Sequence, residues 1–400
     1  MLELSIYLIL MLLQFFYFRA EKCNILVTIN TFFQVLIALG ALWAVSLGKY
    51  VNGELYLYPF IILAILNFIT NYMLNAKIKI RIDIINANKV IKILAILFAI
   101  LGVYYIISHF SGVVELYTSG EYLLRYLDVH DEDYAFYDNL FDKIVLNFLD
   151  YLYVIVLFYG FVQLASNKVR NGLMLIVIIT FYRLLLSIET SSRTDMFSLA
   201  MLLITFYFLF RSFFSNKIKK AFKSIGLLAL GFIGFFAILV TSSRFEDKTL
   251  ADWIFDYLGF SVLDFHDVVC STVRFRDGSY FFKWLRPFFP GLNQTALYTR
   301  DFGSGFIPAF GQLYLDFAWW WLLVYIPLIT FINRYVSIKK SSLPSLYLLL
   351  FMFVYVFIGN LYCKNDFISI AMCFLIFTLL RFGNKRIVNK KSKIYKLNYQ

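Results

Sequence analysis

Eleven apolar runs, separated by shorter polar segments, account for most of this 400-residue chain. Each run has roughly the 17–25 residues that an α-helix needs to cross the hydrocarbon core of a bilayer. The runs lie near residues 2–18, 26–47, 55–75, 93–110, 144–165, 171–188, 196–213, 224–241, 307–332, 343–362 and 366–381. The pattern therefore predicts an all-α fold, a polytopic transmembrane helical bundle of about eleven helices.

The composition agrees with a lipid environment. Hydrophobic residues make up 61% of the chain and charged residues 16%, whereas a soluble domain has roughly 25% charged residues. The chain has no Ser-, Gly- or Pro-rich tract of the kind that marks a linker. We therefore expect a single integral membrane domain over residues 1–400.

The net charge of +12 has a one-sided distribution. Basic clusters occupy residues 77–92, 211–223, 334–340 and 381–396, where the only acid is Asp83. Eleven crossings place all four clusters on one face, which the positive-inside rule makes cytoplasmic. We predict a cytoplasmic (inner) membrane protein with its N-terminus outside and its C-terminus in the cytoplasm. Membrane lipids, rather than nucleic acid, account for the basic charge, because no nucleic-acid-binding motif is visible.

Two long segments then fall on the outer face. Residues 111–143 form an acidic loop, and residues 242–306 form a larger loop that mixes both charges with many aromatic residues. Loops of this length are usually functional or disordered. The aromatic content of the second loop favours a folded segment that contributes to an active site.

A short repeat marks the outer ends of two predicted helices. Thr190-Ser191-Ser192-Arg193 is followed closely by Asp195, and Thr241-Ser242-Ser243-Arg244 is followed by Glu246. A guanidinium fork can bind phosphate oxygens bidentately, and Arg193 is expected at a helix N-terminus, which favours anions. Interaction of these side chains with lipid headgroups is the alternative interpretation.

Arg183 is predicted to lie inside a helix, about 8 Å below its outer end. Such a residue normally faces a polar cavity or a charged partner. Asp150 lies at a similar depth in the preceding helix, so an Arg183–Asp150 ion pair and a binding site for an anionic headgroup are both open. Asp316 is a third charge predicted in the outer half of the bundle.

The large loop offers further candidates. Arg274, Arg276 and Arg286 lie among aromatic residues, a pattern suited either to membrane phosphates or to an anionic sugar substrate. His266 is flanked by acids and is a candidate general base. Glu189, Asp195, Glu246 and Asp247 lie close to the two arginine repeats and compete for that role. His109 and His130 are weaker candidates.

The sequence has no metal-ligand spacing and no nucleotide-binding glycine motif. We therefore expect neither a metal site nor any other cofactor. Cys270 and Cys363 fall on the same predicted face, and a disulfide between them is one possibility.

The stretch Phe302–Phe317, with its Gly-rich start and Gly311-Gln312-Leu313-Tyr314-Leu315-Asp316-Phe317, resembles the segment that follows the large outer loop in O-antigen and capsule polymerases of the Wzy type. Gln312 takes the place of the usual Glu, Asp316 that of Asn and Ala318 that of Gly. The Ser192-Arg193 and Ser243-Arg244 pairs also resemble arginine motifs of that family.

The resemblance implies a fold similar to that of GT-C-like lipid-linked glycosyltransferases and a metal-independent transfer of polyprenyl-pyrophosphate-linked oligosaccharides. The expected partners are the lipid-linked donor and acceptor, with a chain-length regulator protein as a further one. Arg193, Arg244 and His266 are the expected catalytic residues. The expected substrate contacts are Arg183, Arg274, Arg276, Arg286, Asp195, Glu246 and Tyr314.

Two other functions remain open. An O-antigen ligase shares the fold and the arginines. A flippase or transporter of lipid-linked oligosaccharide requires charges along a path through both halves of the membrane, whereas Asp150, Arg183 and Asp316 all fall in the predicted outer half.

Overall fold

The computed structural model describes residues 1–48, 53–76, 80–118, 140–189, 193–222, 231, 250–282, 297–298, 307–339, 342–359 and 370–383. The chain forms two compact units. Unit 1 comprises residues 1–79, 248–341 and 345–375, and unit 2 comprises residues 80–247, 342–344 and 376–400.

Helices dominate the described residues. In chain order they are α1 (Leu2–Ala20), α2 (Ile25–Ser46), α3 (Leu57–Leu74), α4 (Ile82–Ala87), α5 (Lys89–Thr118), α6 (Leu140–Ala165), α7 (Val169–Glu189), α8 (Arg193–Phe210), α9 (Leu250–Ser271), α10 (Ala309–Phe317), α11 (Leu322–Ile338), α12 (Leu343–Gly359) and α13 (Ile370–Gly383). Short 3-10 turns follow α8 at Arg211–Phe213 and α10 at Ala318–Trp321. Strands β1 (Thr272–Arg274) and β2 (Leu297–Tyr298) form one antiparallel pair.

Within the described residues, seven segments are long and apolar enough to cross a membrane, namely α1, α2, α3, α5, α6, α7 and the stretch Ala309–Ile338. This confirms the prediction of an all-α, multi-pass membrane protein. Shorter apolar helices at Ser198–Phe213, Leu343–Tyr355 and Ile370–Gly383 coincide with three further predicted runs. The run predicted at 224–241 lies outside the described residues, apart from Gly231.

Helices occupy parts of both segments that were predicted as outer loops. Helix α5 continues to Thr118 and α6 begins at Leu140, so helices occupy both ends of the acidic segment 111–143. The larger segment 242–306 contains the 22-residue helix α9. At 1.5 Å per residue, α9 is about 33 Å long, which is comparable to a membrane span.

Asn24 joins the ends of α2 and α3 in unit 1. Its side-chain oxygen accepts a hydrogen bond from the Val27 N–H and caps α2, and its amide donates to the Leu74 and Ala76 carbonyls at the end of α3. One asparagine thus satisfies backbone groups that two helix ends leave without partners.

Buried amides also join α2 to α3. Asn30 donates to Asn71 at 2.7 Å, and Asn71 donates to Gln34 at 2.9 Å. Near this amide chain, a cavity of about 10 Å³ is lined by Gln34, Asn67 and Pro308, among others. Gln34 Nε2 and Asn67 Oδ1 have no hydrogen-bond partner among the described residues, and the cavity is lined by both polar and apolar residues.

Helix α9 packs along α2 in the same direction. A Cβ on Gly259 would lie 2.3 Å from backbone atoms of Gly40 and Ala41, so the two helix backbones approach as closely as glycine allows. Farther along α9, His266 contacts Tyr56, which precedes α3. The C-terminal ends of α2 and α9 therefore lie together in unit 1.

The predicted helix at 307–332 is broken. Ala318 has φ +47° and ψ −142°, and α10 ends there. The Phe310 ring lies 5.6 Å from the rings of both Trp321 and Tyr325, although a straight helix would separate residues 310 and 325 by about 22 Å. Helix α10 therefore folds back against α11.

Helices α5, α6 and α7 form the core of unit 2. Helices α6 and α7 approach closely where Gly172 faces Gly160, because a Cβ on Gly172 would lie 2.7 Å from the Gly160 carbonyl oxygen. Contacts between Tyr105 and Glu189 and between Tyr182 and Asp150 bring the middle of α5 and the end of α7 together with the first half of α6.

Candidate active site

Arg183 and Asp150 form an ion pair in unit 2. Arg183 Nη1 lies 2.7 Å from Asp150 Oδ1, and the Tyr182 hydroxyl donates to the same oxygen at 2.7 Å. The guanidinium carbon also lies 4.4 Å from the centre of the Tyr153 ring, a favourable cation–π geometry. The predicted pair is confirmed, and its two charges offset each other within the bundle.

Glu189 holds two side chains of α5. Its Oε2 accepts a hydrogen bond from the Tyr105 hydroxyl, and its Oε1 lies 2.8 Å from His109 Nδ1. The Tyr105 and His109 rings stack with their centres 4.3 Å apart. The two carboxylate oxygens and the stacked ring therefore fix the orientation of the imidazole.

The two groups are continuous, because the Tyr105 and Tyr182 rings meet edge to face at 5.3 Å. We refer to the whole set as the end cluster, which comprises Tyr105, His109, Asp150, Tyr182, Arg183 and Glu189. It lies at the end of α7, beside the second half of α5 and the first half of α6. Residues 93–108, 151–165 and 171–182 of these helices carry no charged side chain, whereas Lys89, Lys92 and Arg170 lie at the far ends of α5 and α7.

Arg193 is the first residue of α8, so its predicted position at a helix N-terminus is confirmed. Asp195 lies in the same first turn, and α7 packs against α8. The side chains of Arg193 and Asp195 lie outside the described part of the structure, as do Arg244, Glu246 and Arg286. Their predicted roles remain predictions.

His266 lies in unit 1, and its side chain is fully buried. Its Nε2 accepts a hydrogen bond from the Tyr56 N–H at 2.9 Å, and its Nδ1 lies 3.0 Å from Asp267 Oδ1. Because Nε2 acts as the acceptor, the proton of the neutral ring is on Nδ1 and is donated to Asp267. A role for His266 as general base therefore requires Tyr56 to move away.

Cys270 lies one turn beyond His266 on α9. Its sulfur is 3.6 Å from His266 Nε2 and 3.3 Å from the Tyr58 hydroxyl. The order thiol, imidazole, carboxylate is that of a cysteine nucleophile with its base, but the imidazole lone pair is already shared with the Tyr56 N–H. Cys363, its predicted disulfide partner, is outside the described residues.

Arg276 and Asp316 form a second buried ion pair, also in unit 1. Arg276 Nε lies 3.1 Å from Asp316 Oδ1, but its N–H does not point at the carboxylate, so the contact is ionic rather than a directed hydrogen bond. Arg276 Nη2 donates to Gln312 at both its carbonyl and its Oε1. Gln312 thus acts as a hydrogen-bond acceptor for the arginine.

The chain around Arg276 also caps α10. The N–H groups of Arg276 and Gly278 donate to the carbonyls of Leu315 and Asp316, and the Phe281 N–H donates back to the Asp316 side chain at 3.0 Å. These contacts satisfy carbonyls that the end of a helix leaves unpaired. We call residues 275–282 the capping loop.

The other two predicted substrate contacts in unit 1 differ in exposure. Arg274 is exposed in β1, opposite Leu297. Tyr314 is buried, and its ring packs against Phe275 at 5.3 Å and Trp319 at 4.6 Å. Arg274 is thus more accessible than either Tyr314 or Arg276, as expected of a residue that contacts substrate.

An apolar groove of about 440 Å³ borders the capping loop in unit 1. Phe281 and Phe282 form one edge, and the remaining walls come from α10, α11, α12 and α13. Its lining is aromatic and aliphatic apart from Cys373 and the tyrosine hydroxyls. The hydropathy of these helices indicated membrane helices but not a groove, because the groove depends on how four elements pack.

No family model, curated protein or solved structure matches this chain. Within the described residues, no group of three or more His, Cys, Asp and Glu side chains is arranged as a metal site.

Sequence reasoning missed two pairings. His109 and Glu189 had each been noted, but they are 80 positions apart, and nothing in either helix indicates its partner. Arg276 and Asp316 had likewise been assigned separately, to substrate binding and to the membrane helix. In both cases the sequence did show an ionisable residue within or near an apolar run. Such a residue requires a charged or polar partner, although the sequence does not say which one.

Proposed function

We propose that this chain is a membrane glycosyltransferase that polymerises polyprenyl-pyrophosphate-linked oligosaccharide repeat units into a surface polysaccharide, as O-antigen and capsule polymerases of the Wzy type do. We further propose about eleven spans in the cytoplasmic membrane, a GT-C-like arrangement of helices, an outer N-terminus and a cytoplasmic C-terminus.

The end cluster is the observation that carries this proposal. Four ionisable side chains, His109, Asp150, Arg183 and Glu189, lie together near the end of α7, and residues 93–108, 151–165 and 171–182 of α5–α7 carry no charged side chain. A transporter needs polar groups along its path through both halves of the membrane. A one-sided cluster instead suits chemistry on a substrate that stays at one face.

The chemistry requires stabilisation of a leaving group. As the bond between the sugar and the pyrophosphate breaks, negative charge develops on the phosphate oxygens, and arginines placed in advance can stabilise it. Arg193, at the start of α8 and four residues after Glu189, is our principal candidate. Arg244 is the second, from the matching Thr-Ser-Ser-Arg repeat.

The substrate also has a long apolar tail. The groove beside the capping loop, with walls almost entirely of aromatic and aliphatic side chains, supports an isoprenoid-linked substrate. Burial of apolar surface in such a groove favours binding by about 25 cal/mol per Å².

Deletion of the gene tests the proposal. If the chain is a polymerase, surface polysaccharide on a gel changes from a ladder to single repeat units. A ligase deletion leaves bare acceptor lipid instead, and an unchanged ladder contradicts both functions.

Point variants then test the arginine site. We expect Arg193→Ala and Arg244→Ala to abolish the ladder at normal protein level. Arg211→Ala is a matched control, because Arg211 is exposed just beyond the other end of α8, and we expect it to leave the ladder intact. Normal ladders in both test variants would remove these arginines from the site.

A further inference from the structure

The end cluster contains a residue pair suited to take up a proton. We propose that His109, oriented by Glu189 and Tyr105, is the general base that deprotonates the acceptor sugar hydroxyl. This inference rests on the proposed function and names the residues that supply its acid–base step.

The contacts of Glu189 fix the orientation and the tautomer of the His109 ring. In a neutral imidazole, one nitrogen donates a hydrogen bond and the other accepts. Glu189 Oε1 lies 2.8 Å from His109 Nδ1, so the carboxylate fixes the proton on Nδ1 and makes Nε2 the basic nitrogen. The Tyr105 hydroxyl binds the second oxygen of Glu189 and thereby holds the carboxylate in place.

The described residues contain two histidine–carboxylate pairs, which differ in exposure. The side chains of His266 and Asp267 are 0% and 1% exposed, and the Tyr56 N–H occupies His266 Nε2. The side chains of His109 and Glu189 are 13% and 12% exposed. A base must reach its substrate, so the partly exposed pair is the better candidate.

The His109–Glu189 pair is also close along the chain to the first proposed phosphate-binding arginine. Glu189 is the last residue of α7, and Arg193 begins α8 four residues later. Four residues span at most about 14 Å, so the base pair lies near the arginine proposed to bind the pyrophosphate. Among the described residues, Asp142 of α6 also acts on His109 through its charge, and it binds the Tyr104 hydroxyl at 3.1 Å. Glu115 lies six residues farther along α5.

The proposed step is balanced. The acceptor oxygen forms a bond to the anomeric carbon of the donor, and the bond from that carbon to the pyrophosphate oxygen breaks. The bonding electron pair leaves with the lipid pyrophosphate. The proton moves from the acceptor hydroxyl to His109 Nε2 and is later released to water.

The test uses the purified full-length chain in nanodiscs, with lipid-linked oligosaccharide extracted from the deletion strain as both donor and acceptor. Rates of chain extension are measured against pH and substrate concentration. We expect His109→Gln to lower kcat by about 10²–10⁴-fold, to leave KM within about twofold, and to abolish the fall in rate on the acid side of the pH profile. Glu189→Gln should lower kcat less, and Tyr105→Phe less again.

Tyr104→Phe is the matched control. Tyr104 adjoins Tyr105 and also binds a carboxylate, but that carboxylate is Asp142 rather than Glu189, and we expect wild-type kcat and pH profile. Thermal unfolding of every variant identifies loss of folding, and if His109→Gln does not fold, Glu189→Gln decides the question through kcat.

The possible failures are distinguishable. If the wild-type chain does not extend the extracted oligosaccharide, the proposed function fails and the base assignment fails with it. If the wild type extends it and His109→Gln, or a folded Glu189→Gln, keeps the wild-type kcat and the acid limb of the profile, only the base assignment is overturned.

Discussion

Removal of the Asp316 carboxylate should release the capping loop. The Asp316 side chain is 1% exposed, accepts the Phe281 N–H and balances the charge of Arg276, whose side chain is 14% exposed. Loss of one partner of a buried ion pair costs about 3–5 kcal/mol, because the other charge is left without compensation. Arg276 keeps its two bonds to Gln312, so we expect the lower end of this range for Asp316→Ala.

The effect can be measured by chymotrypsin cleavage after Tyr280, Phe281 and Phe282 in the full chain. When opening is fast relative to cleavage, the cleavage rate follows the population of the open loop. A cost of about 3 kcal/mol corresponds to an increase of roughly 100-fold, at 1.4 kcal/mol per factor of ten.

Two further variants isolate the cause. The double variant Arg276→Met, Asp316→Leu removes both charges and should recover part of the protection, since apolar replacement of a whole buried pair is often neutral. The part that depends on the Phe281 N–H bond to Asp316 is not recovered. Asp83→Ala breaks the exposed Arg81–Asp83 pair, whose atoms are 3.6 Å apart, and should change nothing. Equal cleavage of Asp316→Ala and the wild type would refute the reasoning.

Three other predictions concern stability, measured by thermal unfolding in detergent. Gly259→Ala should destabilise unit 1 by about 1–3 kcal/mol through overpacking against α2, whereas Gly112→Ala, with open space around its Cβ, should not; equal melting temperatures would contradict the close approach. Asn71→Leu should lower the free energy of unfolding by about 1–2 kcal/mol, because it interrupts the hydrogen-bonded amides of Asn30, Asn71 and Gln34. An unchanged melting temperature would show that these hydrogen bonds do not stabilise the protein. His266→Gln should lower the melting temperature because the Tyr56 N–H loses its acceptor; full stability with lost activity would instead favour a catalytic His266.

The long apolar runs predicted α1–α3 and α5–α7 well, because a helix that crosses lipid needs a long stretch with few charged residues, and such a stretch is visible in the hydropathy of the sequence. Helix α9 escaped detection because it carries Asp252, Asp256, Asp264 and Asp267, which lower its hydropathy below that of a span. The break between α10 and α11 had no sequence signal either. Hydropathy is continuous through the tryptophans, and alanine is not a residue type that indicates a positive φ.

Part of the candidate site was predictable from the sequence, because a charged side chain inside a membrane helix has a high free-energy cost unless it is paired. A charge at the depth of Arg183 requires a partner, and Asp150 was the nearest acid in an adjacent helix. The partners of Glu189 and Arg276 were not predictable, because each lies on an element brought close only by tertiary packing.

The reversal at Ala318 has an electrostatic consequence. The aligned peptide groups of a helix leave about half a positive elementary charge at its N-terminus. Since α10 is a separate nine-residue helix whose N-cap residue, Pro308, is buried and lines the small cavity together with Asn67, this fractional charge lies inside unit 1, close to that cavity. The protein thus gains an electropositive point in its interior without burying a lysine or an arginine there.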